Sequence, residues 1–150
     1  MKCKEVIWKI LAVLDQESKS VQNFLTIDRD CVQSLIELDK SCDSSLAEIA
    51  KDLLKNAVDE QNEYKLQVII RSLINREQSE AFELTRSALE SIEASDKETY
   101  INYFCELGDS RAVPHLINFL ARYELVNSTD QREDDLISFT KEAILQLEEA

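Results

Sequence analysis

The stretch ELGDSRAVPHLINFL, Glu106 to Leu120, contains the only glycine and the only proline of this 150-residue chain. Gly108 follows an apolar segment that ends at Leu107, and glycine often ends a helix because it adopts the left-handed conformation without a Cβ penalty. Asp109 can cap the next helix, and Pro114 falls near that helix's first turn, where a missing N–H costs little. The stretch therefore predicts two helices joined by a tight turn.

The composition of the whole chain favours the same kind of structure. Hydrophobic residues make up 44% and charged residues 31%, which is typical of a globular protein. All-β and doubly wound folds need many turn glycines, and this chain has one. We therefore expect a single all-α domain over residues 1–150.

Apolar periodicity and capping residues predict helices along most of the chain. The expected helices are Lys4–Leu14, Val21–Ile27, Cys31–Lys40, Ser45–Val58, 60–75, one that begins at Ser79, 97–107 and 132–147. Asp30 is expected to cap the third of them, and Ser95 and Glu98 to form a capping box before 97–107. Trp8 is expected in the core. Helices that begin near Ser45, Ser79 and Ser110 each have a partner, with starts 34 and 31 residues apart (45 to 79 and 79 to 110). Such intervals suggest stacked helix pairs at 44–76, 78–108 and 109–148, with 1–40 as a cap or a degenerate repeat.

The segment LGDSRAVPHLINFL, Leu107–Leu120, closely resembles the signature of short HEAT-like repeats, the type that also occurs in bilin lyases. The matching positions are Leu107, Gly108, Asp109, Arg111, Ala112, Val113, Pro114, Leu116 and Leu120. The remainder of the chain is similar only in its succession of helix pairs. The resemblance implies a right-handed α-solenoid of three to four antiparallel helix pairs, with helices 60–75, 97–107 and 132–147 lining a concave face.

The net charge of −13 is concentrated in the second half of the chain. Residues 1–76 contain 13 acids and 11 bases, whereas residues 77–150 contain 17 acids and 6 bases. A field of this sign repels nucleic acid and anionic membranes, and it speeds the encounter with a basic protein. We therefore expect a basic protein as partner, although the same acidity could serve solubility alone.

The four cysteines, Cys3, Cys31, Cys42 and Cys105, form no CxxC pair and have no nearby histidine at metal-ligand spacing. We expect each of them to be a buried free thiol. The first residues carry no small-x-small cleavage site, and no apolar run approaches the length of about 20 residues that spans a membrane. These features predict a cytoplasmic protein.

No catalytic constellation is evident, so we expect neither an enzyme nor a cofactor. His115 is the only histidine, and a position on the surface or between repeats explains it best because it has no spaced partner. The acids Asp130, Glu133, Asp134 and Asp135 could bind a hard cation, but an EF-hand glycine is missing and a helix N-terminus favours acids. We therefore expect no metal site.

An aromatic and acidic cluster on the predicted inner helices gives the candidate binding surface. Tyr100 and Tyr103 would anchor a partner, and the acids around them would attract it. The full expected set is Tyr100, Tyr103, Glu98, Glu106, Asp134, Asp135, Glu63 and Tyr64. The alternative is that both tyrosines pack between repeats.

Four functions remain open at this point. The first is an acidic inhibitor or immunity-type protein that neutralises a basic partner such as a nuclease toxin. The second is an adaptor or scaffold subunit. The third is a bilin-lyase-like enzyme, because the short HEAT-like repeat also occurs in bilin lyases, although nothing in this sequence specifies a pigment site. The fourth, direct nucleic-acid binding, conflicts with the sign of the charge.

Overall fold

The computed structural model describes residues 2–16, 21–126 and 131–149, with side chains for 2–15, 29–123 and 135–149. The described part of the chain is all-α, as predicted. Its helices are α1 (Cys3–Ala12), α2 (Val21–Ile36), α3 (Asp43–Lys55), α4 (Glu60–Ile74), α5 (Gln78–Glu90), α6 (Lys97–Leu107), α7 (Val113–Val126) and α8 (Gln131–Glu148). Among these helices, none combines the length and apolarity needed to cross a bilayer.

The contacts of the chain define two compact units. The N-terminal unit comprises residues 1–84 and 93–95, and the C-terminal unit comprises 85–92 and 96–150. In the first unit, α1 packs on α2 and α3, and α4 packs on α2 and α3. In the second unit, α6 and α7 both pack on α8. The packed pairs thus include helices adjacent in sequence, such as α3 with α4 and α7 with α8, and helices two positions apart, such as α2 with α4 and α6 with α8.

The joint at Gly108 has the predicted structure. Gly108 ends α6 with φ 62°, in the left-handed region, and its N–H lies 3.1 Å from the carbonyl oxygens of Phe104 and Cys105. The Asp109 side chain accepts a hydrogen bond of 2.9 Å from the Arg111 N–H and caps a short 3₁₀ turn that leads into α7. Pro114 is the second residue of α7, where no helical hydrogen bond is lost.

Replacing Gly108 tests how much this joint depends on a residue that adopts positive φ without a Cβ penalty. Gly108→Ala is expected to lower the free energy of unfolding by about 1 kcal/mol, because a Cβ disfavours positive φ. The space around that Cβ is open, so no clash adds to the cost. Gly108→Asn should lose less, since asparagine tolerates the left-handed region. Urea unfolding of the three proteins checks the order Gly, Asn, Ala, and equal stabilities would contradict it.

A second joint of the same kind precedes α3, although it contains neither glycine nor proline. Asp39 accepts a 2.9 Å hydrogen bond from the Ser41 N–H and caps a 3₁₀ turn at Lys40–Cys42. The apolar positions after it match those after Asp109: Cys42 and Leu46, like Ala112 and Leu116, are fully buried. The helices α3, α5 and α7 begin 35 residues apart in both steps, from 43 to 78 and from 78 to 113. The interval is thus more regular than the 34 and 31 expected from the sequence.

Three local expectations were wrong. Val21–Ile36 is one helix, so Asp30 lies inside it and caps nothing. The Ser95–Glu98 capping box does not form, because Asp96 is the N-cap residue of α6 and accepts a 2.7 Å hydrogen bond from the Thr99 hydroxyl. Trp8 is 41% exposed and does not belong to the core.

The cysteine prediction is also corrected. Cys3 and Cys42 form a disulfide whose Cα atoms are 5.4 Å apart and which joins residues separated by 39 positions. It links the start of α1 to the turn before α3. Cys31 and Cys105 form no disulfide. The expected buried thiol is found at Cys31, which donates to the Ile10 carbonyl oxygen at 3.6 Å, whereas Cys105 is a half-buried thiol.

Arg76 connects three parts of the N-terminal unit from a nearly buried position, with its side chain 6% exposed. Its Nε donates to the carboxylate of Asp43 at 2.7 Å. Its other nitrogens donate to backbone carbonyls at the end of α2 and in the turn after it, those of Leu35, Ile36, Leu38 and Asp39, at 2.5 to 3.2 Å. One guanidinium thus donates to carbonyls at the end of α2 and in the following turn and also binds the first residue of α3.

Candidate functional site

An acidic cleft between α6 and α8 is the candidate binding site. Its volume is about 310 Å³, and it is lined by Asn102, Cys105, Glu106, Phe139, Glu142, Ala143 and Gln146. Glu106 and Glu142 are exposed, whereas Phe139 and Cys105 are half-buried and Ala143 is buried. The cleft therefore combines an apolar floor with a carboxylate on each wall.

Helical spacing extends this acidic character along both walls. On α6, Glu98, Asn102 and Glu106 are four residues apart and share one face. On α8, Asp135 lies seven residues before Glu142 and on the same face. Glu149 directly follows the last residue of α8, and its N–H still bonds to the Leu145 carbonyl oxygen at 3.2 Å, so it continues that face seven residues after Glu142. Glu98, Asp135 and Glu149 are all exposed. Five carboxylates thus line or continue the cleft.

The surroundings of the Cys105 thiol, in the floor of the cleft, change its pKa. Burial raises the pKa of Cys105 above its ordinary value, and the adjacent Glu106 carboxylate raises it further. Both causes favour the neutral thiol, which is less nucleophilic than the thiolate. Cys105 therefore contributes apolar surface to the cleft at neutral pH.

The acidic residues predicted from the sequence fall partly on this cleft. Glu106 lines it, and Glu98 and Asp135 continue its walls. The side chain of Asp134 lies outside the described residues. Phe139 and Glu142 were missed, and the signal that could have found them is their spacing of three on a helix that also carries Asp135 four residues earlier.

The two tyrosines are core residues, and the structure corrects their expected role as anchors. Tyr100 is 0% and Tyr103 4% exposed, and their rings meet edge to face with centroids 6.3 Å apart. They lie next to the buried Ile101 and Phe104, so α6 buries a wider arc than its apolar stripe suggested. The burial of both rings favours the alternative interpretation, in which they pack between repeats and do not anchor a partner.

Glu63 and Tyr64 belong to the N-terminal unit and also differ from the expectation. Glu63 is 5% exposed, and its Oε1 accepts hydrogen bonds from the Ser95 N–H at 3.3 Å and the Ser95 hydroxyl at 3.2 Å. A carboxylate bound in this way holds the segment before α6 and is not open to a partner. Tyr64 is half-buried beside it in α4.

No group of three or more metal-binding side chains occurs among the described residues. No protein-family model, curated protein or solved structure matches this chain.

Proposed function

We propose that this protein is a non-catalytic protein-binding module and that its acidic cleft receives basic side chains of another protein. The observation that carries the proposal is the pairing of Glu106 and Glu142 across an apolar floor that contains Phe139. Carboxylates attract and orient a lysine or arginine head group. The methylene stem of such a side chain can pack on the floor, and an aromatic ring favours a cation near its face.

The architecture that we propose for this module is a HEAT-like α-solenoid. Two observations support it. The first is the constant 35-residue interval between the starts of α3, α5 and α7. The second is that helices pack on their alternate neighbours, α1 on α3, α2 on α4 and α6 on α8, as stacked helix pairs do.

The preferred role is an inhibitor or immunity-type protein that neutralises a basic enzyme, such as a nuclease toxin. Enzymes that bind nucleic acid have basic surfaces, and an acidic cleft is complementary in charge to such a surface. The excess of 17 acids over 6 bases in residues 77–150 would also steer the two proteins together. The second candidate is an adaptor subunit, which would use the same cleft without inhibiting its partner.

Charge reversal in the cleft tests the site. The variant Glu106→Lys/Glu142→Lys should bind a fluorescein-labelled octa-arginine peptide at least about tenfold more weakly than the wild type, because two attractive contacts become repulsive. Fluorescence anisotropy at 50 and 150 mM salt measures the dissociation constants. Wild-type binding should weaken with salt, and binding by the variant should depend on salt less.

The matched control is Glu83→Lys/Glu148→Lys, which changes the net charge equally at exposed positions outside the cleft. It should retain most of the affinity. If the two variants lose affinity equally, overall charge and not the cleft governs binding, and the site assignment is wrong.

Capture of partners separates inhibitor from adaptor. The tagged protein is incubated with lysate of its source organism at low and then moderate salt, and the retained proteins are identified by mass spectrometry. A single basic protein held one to one, released by salt and inactive while bound, supports an inhibitor. Several neutral subunits that resist salt support an adaptor.

The disulfide bears on the cytoplasmic location expected from the sequence. Disulfides are rare in the reduced cytosol, so the Cys3–Cys42 bond weighs against that expectation. Alkylation of cells at the moment of lysis, followed by mass spectrometry, counts the free thiols. Four modified cysteines would favour the reduced cytoplasm, and two, Cys31 and Cys105, an oxidising compartment.

A further inference from the structure

A second cavity in the C-terminal unit, between the end of α5 and one face of α7, has a different character from the acidic cleft. Its volume is about 220 Å³. One wall is a stripe of α7 in which His115, Phe119 and Tyr123 are spaced four residues apart. The rings of Phe119 and Tyr123 stack, with centroids 5.5 Å apart and planes inclined by 29°. This wall of the cavity is therefore largely aromatic.

Basic side chains gather at this cavity although the surrounding half of the chain is acidic. Residues 77–150 contain only six bases. Two of them, Lys97 and Arg122, line the cavity together with His115, the single histidine of the chain. The Lys97 ammonium is held in place, since it donates to the carbonyl oxygens of Ala88, at 3.0 Å, and Ser91.

The one carboxylate that lines the cavity is already paired. Glu90 Oε2 lies 3.1 Å from an Arg86 nitrogen, and Glu90 Oε1 lies 3.7 Å from His115 Nδ1. Its charge is therefore offset by groups on the protein. The exposed guanidinium of Arg122 lies on the same helix as the aromatic wall and next to Tyr123.

We infer that this cavity binds a small aromatic carboxylate. The ring would stack on Phe119 and Tyr123, and the carboxylate would bind Arg122, whose planar fork of N–H groups matches two carboxylate oxygens. An apolar cavity of about 150 Å³ holds a benzene ring, so this volume suits one or two fused rings with a short acidic substituent. Lys97 and Arg122 disfavour a cationic ligand.

The test compares acids with their uncharged amides on the intact protein. The probes are phenylacetate and indole-3-acetate, each paired with its primary amide, and isothermal titration calorimetry gives the dissociation constants. The acids should bind about tenfold more tightly than the amides, which is the discrimination that one charge-assisted contact supplies. Arg122→Gln should remove this difference, whereas Phe119→Ala should weaken acid and amide alike.

The control is Arg111→Gln, which removes the same charge from an exposed side chain outside the cavity. It should leave both affinities unchanged. The inference is overturned if neither acid binds, if acids and amides bind equally, or if Arg111→Gln acts like Arg122→Gln. Arg122 is exposed, so its replacement tests the site without disturbing the core. This inference stands independently of the acidic cleft.

Discussion

Replacing Arg76 by methionine is expected to lower the free energy of unfolding by about 3 kcal/mol, at the lower end of what removing one partner of a buried ion pair costs. Methionine keeps the apolar stem, so the loss comes from the guanidinium and its bonds to Asp43 and to four backbone carbonyls. Those carbonyls belong to the end of α2 and the turn before α3, and two of them, those of Leu35 and Asp39, also accept a backbone N–H. Urea unfolding followed by circular dichroism measures the change.

Arg111 provides the matched control, since it lies 35 residues after Arg76 and occupies the equivalent position before the next helix of the series. Its side chain is 77% exposed and pairs with Asp109 at the surface. Arg111→Met should therefore cost less than about 1 kcal/mol, the usual worth of an exposed ion pair. Equal losses at the two positions would show that the buried network around Arg76 stabilises the protein no more than an exposed ion pair does.

Combining Arg76→Met with Asp43→Asn should lower the free energy of unfolding by less than the sum of the two single changes, because both remove the same bond.

Opening the Cys3–Cys42 disulfide is expected to have an effect of similar size. The bond closes a loop with a sequence separation of 39. In the chain-entropy account, a loop of about 40 residues contributes about 4 kcal/mol by restricting the unfolded chain. Urea unfolding with and without dithiothreitol measures the loss on reduction.

Two variants separate the bond from other effects of the reductant. Cys3→Ser should match the reduced wild type in stability and should not respond to dithiothreitol. Cys105→Ser should respond as the wild type does, because Cys105 is a free thiol. The expectation fails if the reduced and oxidised wild-type proteins unfold at the same urea concentration.

The joint at Gly108 could be predicted because the sequence contains both a glycine, which adopts the left-handed conformation, and Asp109, which can cap the following helix. The equivalent joint at Asp39 could not, because an aspartate alone marks many kinds of turn. Asp30 suggested a cap between two helices, but it is an exposed position within one continuous helix. Polar residues at neighbouring positions are compatible with a solvent-facing turn of helix as well as with a loop.

The features that could not be predicted from the sequence, namely the Arg76 network, the disulfide and the buried tyrosines, all depend on long-range contacts. Arg76 bonds to groups 33 to 41 residues away, and no rule of sequence spacing predicts such a partner. The disulfide spans a similar distance. The acidic character of the cleft could be predicted from charge and helix spacing, but the burial of Tyr100 and Tyr103 depends on how many neighbours cover α6. Spacing along one helix does not specify that number.

The hydrogen bonds between Glu63 and Ser95 have a consequence for dissecting this chain by truncation. Segment 93–95 belongs to the N-terminal unit, while the residues on both sides of it belong to the C-terminal unit. A fragment that stops at residue 84 would end inside α5 and would remove both Ser95 donors from a carboxylate that is 5% exposed. Burying a charge with fewer donors is costly. Fragments for separate expression should therefore extend at least to residue 95, so that the Ser95 donors to Glu63 are retained.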